Sequence, residues 1–209
     1  MPISDPTPLI VNPVIPVVTI ENARDAVPLA RALLAGGLRI DEVTLRTPAA
    51  LDAIRAIAGE VAGVIVGAGT LLKPLDITQS VNAGAHFLVT PGTPASLAPA
   101  LSEAPVPVMP GCATVSEAMA LAALGFPVLK FFPAEQSGGA RWLKSVSEPL
   151  PHIRFCPTGG ISGDNAAAYL ALRNVIAVGG SWVAPAQAIA AGDFAGITTR
   201  AAAAAALRA

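Results

Sequence analysis

The sequence predicts an α/β protein, a single (β/α)8 barrel with a short N-terminal extension, occupying residues 1–209 as one domain. Three observations lead there. Short apolar runs rich in β-branched residues recur along the whole chain at intervals of roughly 20 to 26 residues. Between them lie Ala- and Leu-rich stretches with helical spacing. No linker divides the chain, and its length suits one large domain.

The apolar runs are Val14–Ile20, Arg39–Leu45, Val64–Thr70, Phe87–Thr90, Pro107–Gly111, Val128–Ala134, Arg154–Gly159 and Val175–Ser181. They are mostly continuous rather than alternating, as expected of parallel strands covered by helices. Helical spacing is clearest over Ala23–Ala35, Pro48–Gly59 and Val115–Leu124. Thr47, Thr114 and Ser162 stand where helix caps belong, and Ala201–Ala206 reads as a closing helix. An open doubly wound sheet is the alternative, but no GxGxxG follows the first strand. In a barrel of this kind the site lies at the carboxyl ends of the strands, so polar residues there are candidates.

Composition narrows the function. Charged residues make up 13% of the chain and hydrophobic ones 53%. A charged share of roughly 25% is usual, so much of this chain must be buried, with part of its surface covered by copies of itself. The net charge of −1 offers no footprint for nucleic acid or an anionic membrane. There is neither a signal-peptide pattern nor a membrane-spanning run. Cys112 and Cys156 read as buried, reduced thiols. His86 and His152 stand near no cysteine or second histidine, so spacing gives no metal cluster.

The chain has three lysines. Lys73 precedes Pro74 in a loop, and Lys144 belongs to an exposed helix face. Lys130 lies inside the sixth apolar run. Either it snorkels to water from a strand edge, or it points into the barrel, where desolvation disfavours the ammonium and leaves free amine able to attack a ketone. Glu42, Thr44 and Arg46 share one face of the second strand. A glutamate between apolar walls suits general acid/base work, and a guanidinium fork suits a carboxylate; a purely structural Glu42–Arg46 pair is the alternative. Thr70 closes the third strand after Gly67 and Gly69, placed either to bind an anion or to finish the strand. Two Gly-Gly pairs, Gly159–Gly160 and Gly179–Gly180, end the last two strands, with Ser181 following. That is the usual phosphate position of the fold, where backbone N–H groups cradle an anion.

Seven segments, in order and spread over nearly the whole chain, carry a resemblance: Glu42 to Arg46 (EVTLR), Val66 to Thr70 (VGAGT), Thr90 to Gly92 (TPG), Pro110 and Gly111, Lys130 to Glu135 (KFFPAE), Phe155 to Ile161 (FCPTGGI) and Gly179 to Trp182 (GGSW). The sequence resembles the 2-keto-3-deoxy-6-phosphogluconate (KDPG) aldolase / 4-hydroxy-2-oxoglutarate aldolase family. The resemblance implies a class I aldolase without metal or cofactor. It would cleave KDPG reversibly to pyruvate and D-glyceraldehyde 3-phosphate in the Entner–Doudoroff route, with 4-hydroxy-2-oxoglutarate as a further substrate. It implies a cytoplasmic homotrimer of barrels. Lys130 would form the Schiff base and Glu42 would shuttle protons. Arg46 and Thr70 would hold the pyruvate carboxylate, with Pro91 and Phe132 lining the pocket. Thr158 would meet a substrate hydroxyl, and Gly159, Gly160, Gly179, Gly180 and Ser181 would take the phosphate. The sister enzyme for the galactonate epimer tends to lack this threonine and the GGSW run. Cys112 and Ala113 depart from the Ile-Ser the family often has. A phosphate-binding barrel isomerase would explain the Gly-Gly pairs but not Lys130, and a non-catalytic sugar-phosphate sensor has no use for Glu42, Lys130 and Arg46 together.

Overall fold

The structure is a computed structural model that describes residues 3–208. Its strands are β1 (Val14–Val18), β2 (Ile40–Thr44), β3 (Ile65–Gly69), β4 (Phe87–Val89), β5 (Val108–Met109), β6 (Gly111–Cys112), β7 (Val128–Phe131), β8 (Arg154–Pro157) and β9 (Val178–Gly180). All pair in parallel, in two hydrogen-bonded sheets ordered β5-β4-β3-β2-β1-β9 and β6-β7-β8. The helices are α1 (Ala26–Ala35), α2 (Ala50–Glu60), α3 (Pro74–Asn82), α4 (Ala98–Ser102), α5 (Val115–Ala123), α6 (Gly139–Val146), α7 (Ala166–Leu170), α8 (Ala186–Ala190) and α9 (Phe194–Ala205).

Each expected strand forms, but an unbroken eight-strand ladder does not. The fifth run is split at Pro110, which has no N–H to give a ladder. Its first half pairs with β4, and its second half pairs with β7. The last run keeps only isolated bridges, Phe155 to Val175 and Thr158 to Gly179, alongside β8.

Strand alternation sorts the side chains. One face carries Val14, Val18, Val43, Val66, Leu88, Leu129 and Phe155 into a large core with the helices. The opposite face carries Ile15, Ile40, Phe87, Met109, Val128, Cys156 and Ala177 into a second, smaller cluster, against which Leu9 and Ile10 of the N-terminal segment pack. Continuing that second parity two residues toward the carboxyl ends gives Glu42, Lys130, Thr158 and Gly179. The fold therefore aims the polar candidates to one side without any special local geometry.

Helix boundaries correct some expectations. Thr114 caps α5, accepting from Glu117 N at 3.2 Å while Glu117 Oε2 accepts from Thr114 N at 3.0 Å. Thr47 is not a cap. Its hydroxyl donates to Ile20 O at 2.6 Å, and α2 begins later, at Ala50. Ser162 likewise precedes a turn rather than the helix, and α7 starts at Ala166. The closing helix is longer than the Ala201–Ala206 tail, since Asp193 accepts from Gly196 N at 2.9 Å and starts α9 at Phe194.

Candidate active site

Lys130 enters the site because its strand is fixed from behind. Its neighbour Phe131 points the other way and stacks on Trp142 of α6, with ring centroids 4.3 Å apart. Trp142 also meets Phe155 of β8 edge-on at 5.7 Å. With those rings locked, Lys130 faces the opposite side and is 5% exposed. It does not snorkel. Its Nζ donates to Glu42 Oε1 at 3.0 Å, and Glu42 is 3% exposed. The two lie 88 residues apart in the chain. Lys130 Nζ also stands 5.5 Å from the centroid of the Phe132 ring.

The structural Glu42–Arg46 pair does not form, because Glu42 is taken by Lys130 and Arg46 has turned out to the cleft. The cleft has a volume of about 510 Å³. Arg46, Phe132, Thr158, Gly159, Gly160, Gly180 and Ser181 line it. Gly179 is buried just beneath, against Thr158. Lys130, Glu42, Thr70 and Pro91 are not among the lining residues, although Phe132, over whose ring Lys130 Nζ stands, is; Thr70, just past β3, has φ 64°, a left-handed conformation that costs a β-branched residue on the order of 1–3 kcal/mol. The two Gly-Gly pairs differ. Gly159 and Gly160 make a true turn, with φ of 101° and 74°. Gly179 and Gly180 continue strand β9, so the expected second turn begins only at Ser181.

The Gly159–Gly160 turn is braced from two sides. Ala134 N and Glu135 N donate to the carbonyls of Thr158 and Gly159 at 2.8 and 3.1 Å. Asn165 Oδ1 accepts from Ser162 N at 2.8 Å, and its Nδ2 donates to Gly160 O at 3.0 Å. Tyr169, on the same helix, donates to the Glu135 carboxylate. Burial, then the Glu135 hydrogen bond, pushes the Tyr169 phenol up, so it remains a donor.

Both thiols are free and buried, as expected. Burial, reinforced by the Glu42 charge, pushes Cys156 up to about 12, so the thiol nearest the site is no nucleophile. Among the described residues no group of three or more His, Cys, Asp or Glu side chains could hold a metal ion, and no helix is long and apolar enough to cross a membrane. Sequence reasoning passed over Thr19, Val17 and Gln187, which also line the cleft. For Thr19 the signal was available, since it continues the inward parity of Ile15 and Val17.

A parallel α/β scaffold with a buried lysine–glutamate pair and a glycine-lined cleft, linked through Phe132, defines a class of lysine-bearing α/β enzymes. Residues 8–200 match the model of the KDPG and KHG aldolases, so the chain belongs to the KDPG and KHG aldolase family. It is 50% identical over 190 residues to the KHG/KDPG aldolase of Escherichia coli (strain K12), covering 91% of this chain and 89% of that protein. It is similar to the Legionella pneumophila KDPG aldolase solved with pyruvate captured at low pH as a covalent carbinolamine intermediate, at TM-score 0.94 and 41% identity over 97% of this chain and 99% of that one. It also matches the aldolase of Zymomonas mobilis ZM4 solved with 3-phosphoglycerate, at TM-score 0.89 and 43% identity over 96% and 95% of the two chains.

Proposed function

We propose that the site performs class I aldol cleavage of KDPG to pyruvate and D-glyceraldehyde 3-phosphate, the step of the Entner–Doudoroff route, and that it does so reversibly and without a metal. The observation that carries this reading is the buried Lys130 Nζ–Glu42 Oε1 contact of 3.0 Å. A lysine held out of water beside a carboxylate can pass a proton to it and attack a ketone as the free amine. The two sheets, joined through Pro110 and the β8–β9 bridges, support a single (β/α)8 barrel.

The substrate carboxylate lies on Arg46 and Thr70, with Pro91 and Phe132 as walls. The phosphate lies on the backbone of Gly159, Gly160, Gly179, Gly180 and Ser181. Lys130 adds to C2, Glu42 carries protons as the carbinolamine forms, and water leaves to give the iminium. Thr158, just past the strand beside that of Lys130, orients the C4 hydroxyl. Glu42 takes that hydroxyl proton, the C3–C4 electron pair moves into the iminium to form an enamine, and the phosphorylated aldehyde departs. Reprotonation at C3 and hydrolysis release pyruvate and restore Lys130. Holding both ends of the substrate aligns the breaking bond, an effect worth up to about 7–11 kcal/mol in favourable systems.

The covalent carbinolamine in the Legionella relative and the 3-phosphoglycerate in the Zymomonas relative support the lysine and the phosphorylated substrate. An isomerase would leave Lys130 and Glu42 without work. Thr158 and the GGSW run favour the gluconate over the galactonate epimer, with 4-hydroxy-2-oxoglutarate as a second substrate. Exposed Leu72, Leu75, Met119 and Leu124 support self-association into the homotrimer, and the buried free thiols fit a reducing cytoplasm. Borohydride added with pyruvate tests the chemistry: irreversible inactivation with a carboxyethyl-sized mass gain on Lys130 is expected, and an adduct on Lys73 or Lys144 instead would overturn it.

A further inference from the structure

Thr19 lines the cleft and has no part in the mechanism above. It stands one residue past the end of β1, half-buried, with its Oγ1 3.0 Å from Thr44 Oγ1. Thr44 is fully buried and donates its own hydrogen to Val18 O at 2.9 Å. A hydroxyl has one hydrogen and two lone pairs. With the Thr44 hydrogen committed to a carbonyl, the Thr19–Thr44 contact takes its hydrogen from Thr19. What Thr19 then offers the cleft is lone pairs alone. Such a group accepts from a hydroxyl and has nothing to give a carboxylate, a phosphate or a carbonyl.

Its place in the sheet narrows which hydroxyl. β1 pairs with β9 on one side and with β2 on the other, with Pro16 opposite Gly180 and Val17 opposite Glu42. Two residues beyond Val17 and on the same face, Thr19 stands between the glycine segment assigned to the phosphate and the strand of the proton carrier. On the aldolase reading, on which this inference rests, C1 is held by Arg46, C2 by Lys130, the C4 hydroxyl by Glu42 and Thr158, and the C6 phosphate by the glycines. The C5 hydroxyl is the one polar group of the substrate left over, and it lies between the phosphate and C4.

We propose that Thr19 is a specificity residue that accepts the hydrogen of the substrate C5 hydroxyl, its acceptor role imposed by Thr44. In the condensation direction that hydroxyl is the 2-hydroxyl of glyceraldehyde 3-phosphate. The test condenses pyruvate with D-glyceraldehyde 3-phosphate and, separately, with 3-phosphooxypropanal, which has the same length and phosphate but no 2-hydroxyl. Thr19→Val, which keeps the shape, lowers kcat/KM for D-glyceraldehyde 3-phosphate about tenfold while that for 3-phosphooxypropanal changes by less than about twofold, the loss of one hydrogen bond. Thr19→Ser restores the preference for the hydroxylated aldehyde. Equal losses on both aldehydes, or no loss on either, would overturn the assignment. An unsubstituted enzyme that condenses pyruvate with neither aldehyde would overturn the aldolase reading itself, and this proposal with it.

Discussion

The space that a β-carbon on Gly69 would fill is held by the carboxylate of Glu42. Gly69 is therefore a glycine for the sake of a side chain on the next strand, and the position of Glu42 depends on it. Gly69→Ala drives the Glu42 carboxylate off Lys130. It is expected to lower kcat for cleavage by roughly 10²-fold or more, the usual worth of a positioned acid/base, with a smaller change in KM. The overpacking costs about 1–3 kcal/mol of stability, so a melting curve confirms that the fold survives. An unchanged kcat would remove Glu42 from proton transfer.

Lys130 and Glu42 form a buried ion pair at 3.0 Å. Lys130→Met abolishes turnover. Glu42→Gln slows catalysis far more than it weakens pyruvate binding. Each single variant leaves one buried group without its partner and loses about 3–5 kcal/mol of unfolding free energy, read from urea titrations. The double variant loses less than the sum of the two, since it leaves neither charge exposed to the apolar interior. Strictly additive losses would mean that the pair is not coupled.

Asp41, the residue before Glu42, is buried on the helix-facing side of β2, and neither carboxylate oxygen has a hydrogen-bond partner. Burial pushes it from 3.8 up to about 7. Below about pH 4 the folded and unfolded chains both carry the proton, and the group is neutral to stability. As pH rises toward about 7 the unfolded chain ionises first, so stability falls, and above about 7 a loss of a few kcal/mol persists. Asp41→Asn removes this component. Urea midpoints at pH 5 and pH 8 should differ clearly in the parent and much less in the variant; parallel drops would refute the assignment.

Cys112 and Cys156 are both buried and both pushed to about 12, chiefly by desolvation. Iodoacetamide at pH 8 should label neither in the folded protein and both in denaturant, counted by intact mass. Rapid native labelling of Cys156 would contradict the burial of its thiol.

Tyr169 reaches the Gly159–Gly160 turn through Glu135, to which it donates and whose N–H in turn donates to Gly159 O. Tyr169→Phe should raise KM for KDPG about tenfold, as expected for one lost charge-assisted bond, yet leave kinetics on 4-hydroxy-2-oxoglutarate nearly as before. That split separates a phosphate-positioning role from general loosening of α7, which would depress both substrates alike.

Much of the scaffold was legible because each strand run is apolar on both faces and each helix alternates at its own period. Lys130 and Glu42 were legible as residue types out of place in such runs. Their contact was not, since nothing local records which of several strands lies opposite which. Thr47 misled because a threonine before Pro48 looks like a cap, whereas its hydroxyl reaches back to Ile20 O. Pro110 hides the break between β5 and β6 within what reads as one strand. Gly179 and Gly180 were read as a turn, although of the two pairs it is Gly159 and Gly160 that take positive φ. Thr19 continues the inward parity of Ile15 and Val17, but which partner takes its hydrogen shows only once Thr44 is placed beside it.

The 88 residues that separate Glu42 from Lys130 also set a clock for biosynthesis. A ribosome adding about 5–20 residues per second makes the glutamate roughly 4–18 s before it makes the lysine. Throughout that interval the nascent chain carries an acidic group destined for burial without the lysine that meets it in the fold. The sixth apolar run is thus the point in translation at which the chain first acquires Lys130, the partner that Glu42 meets in the folded second strand.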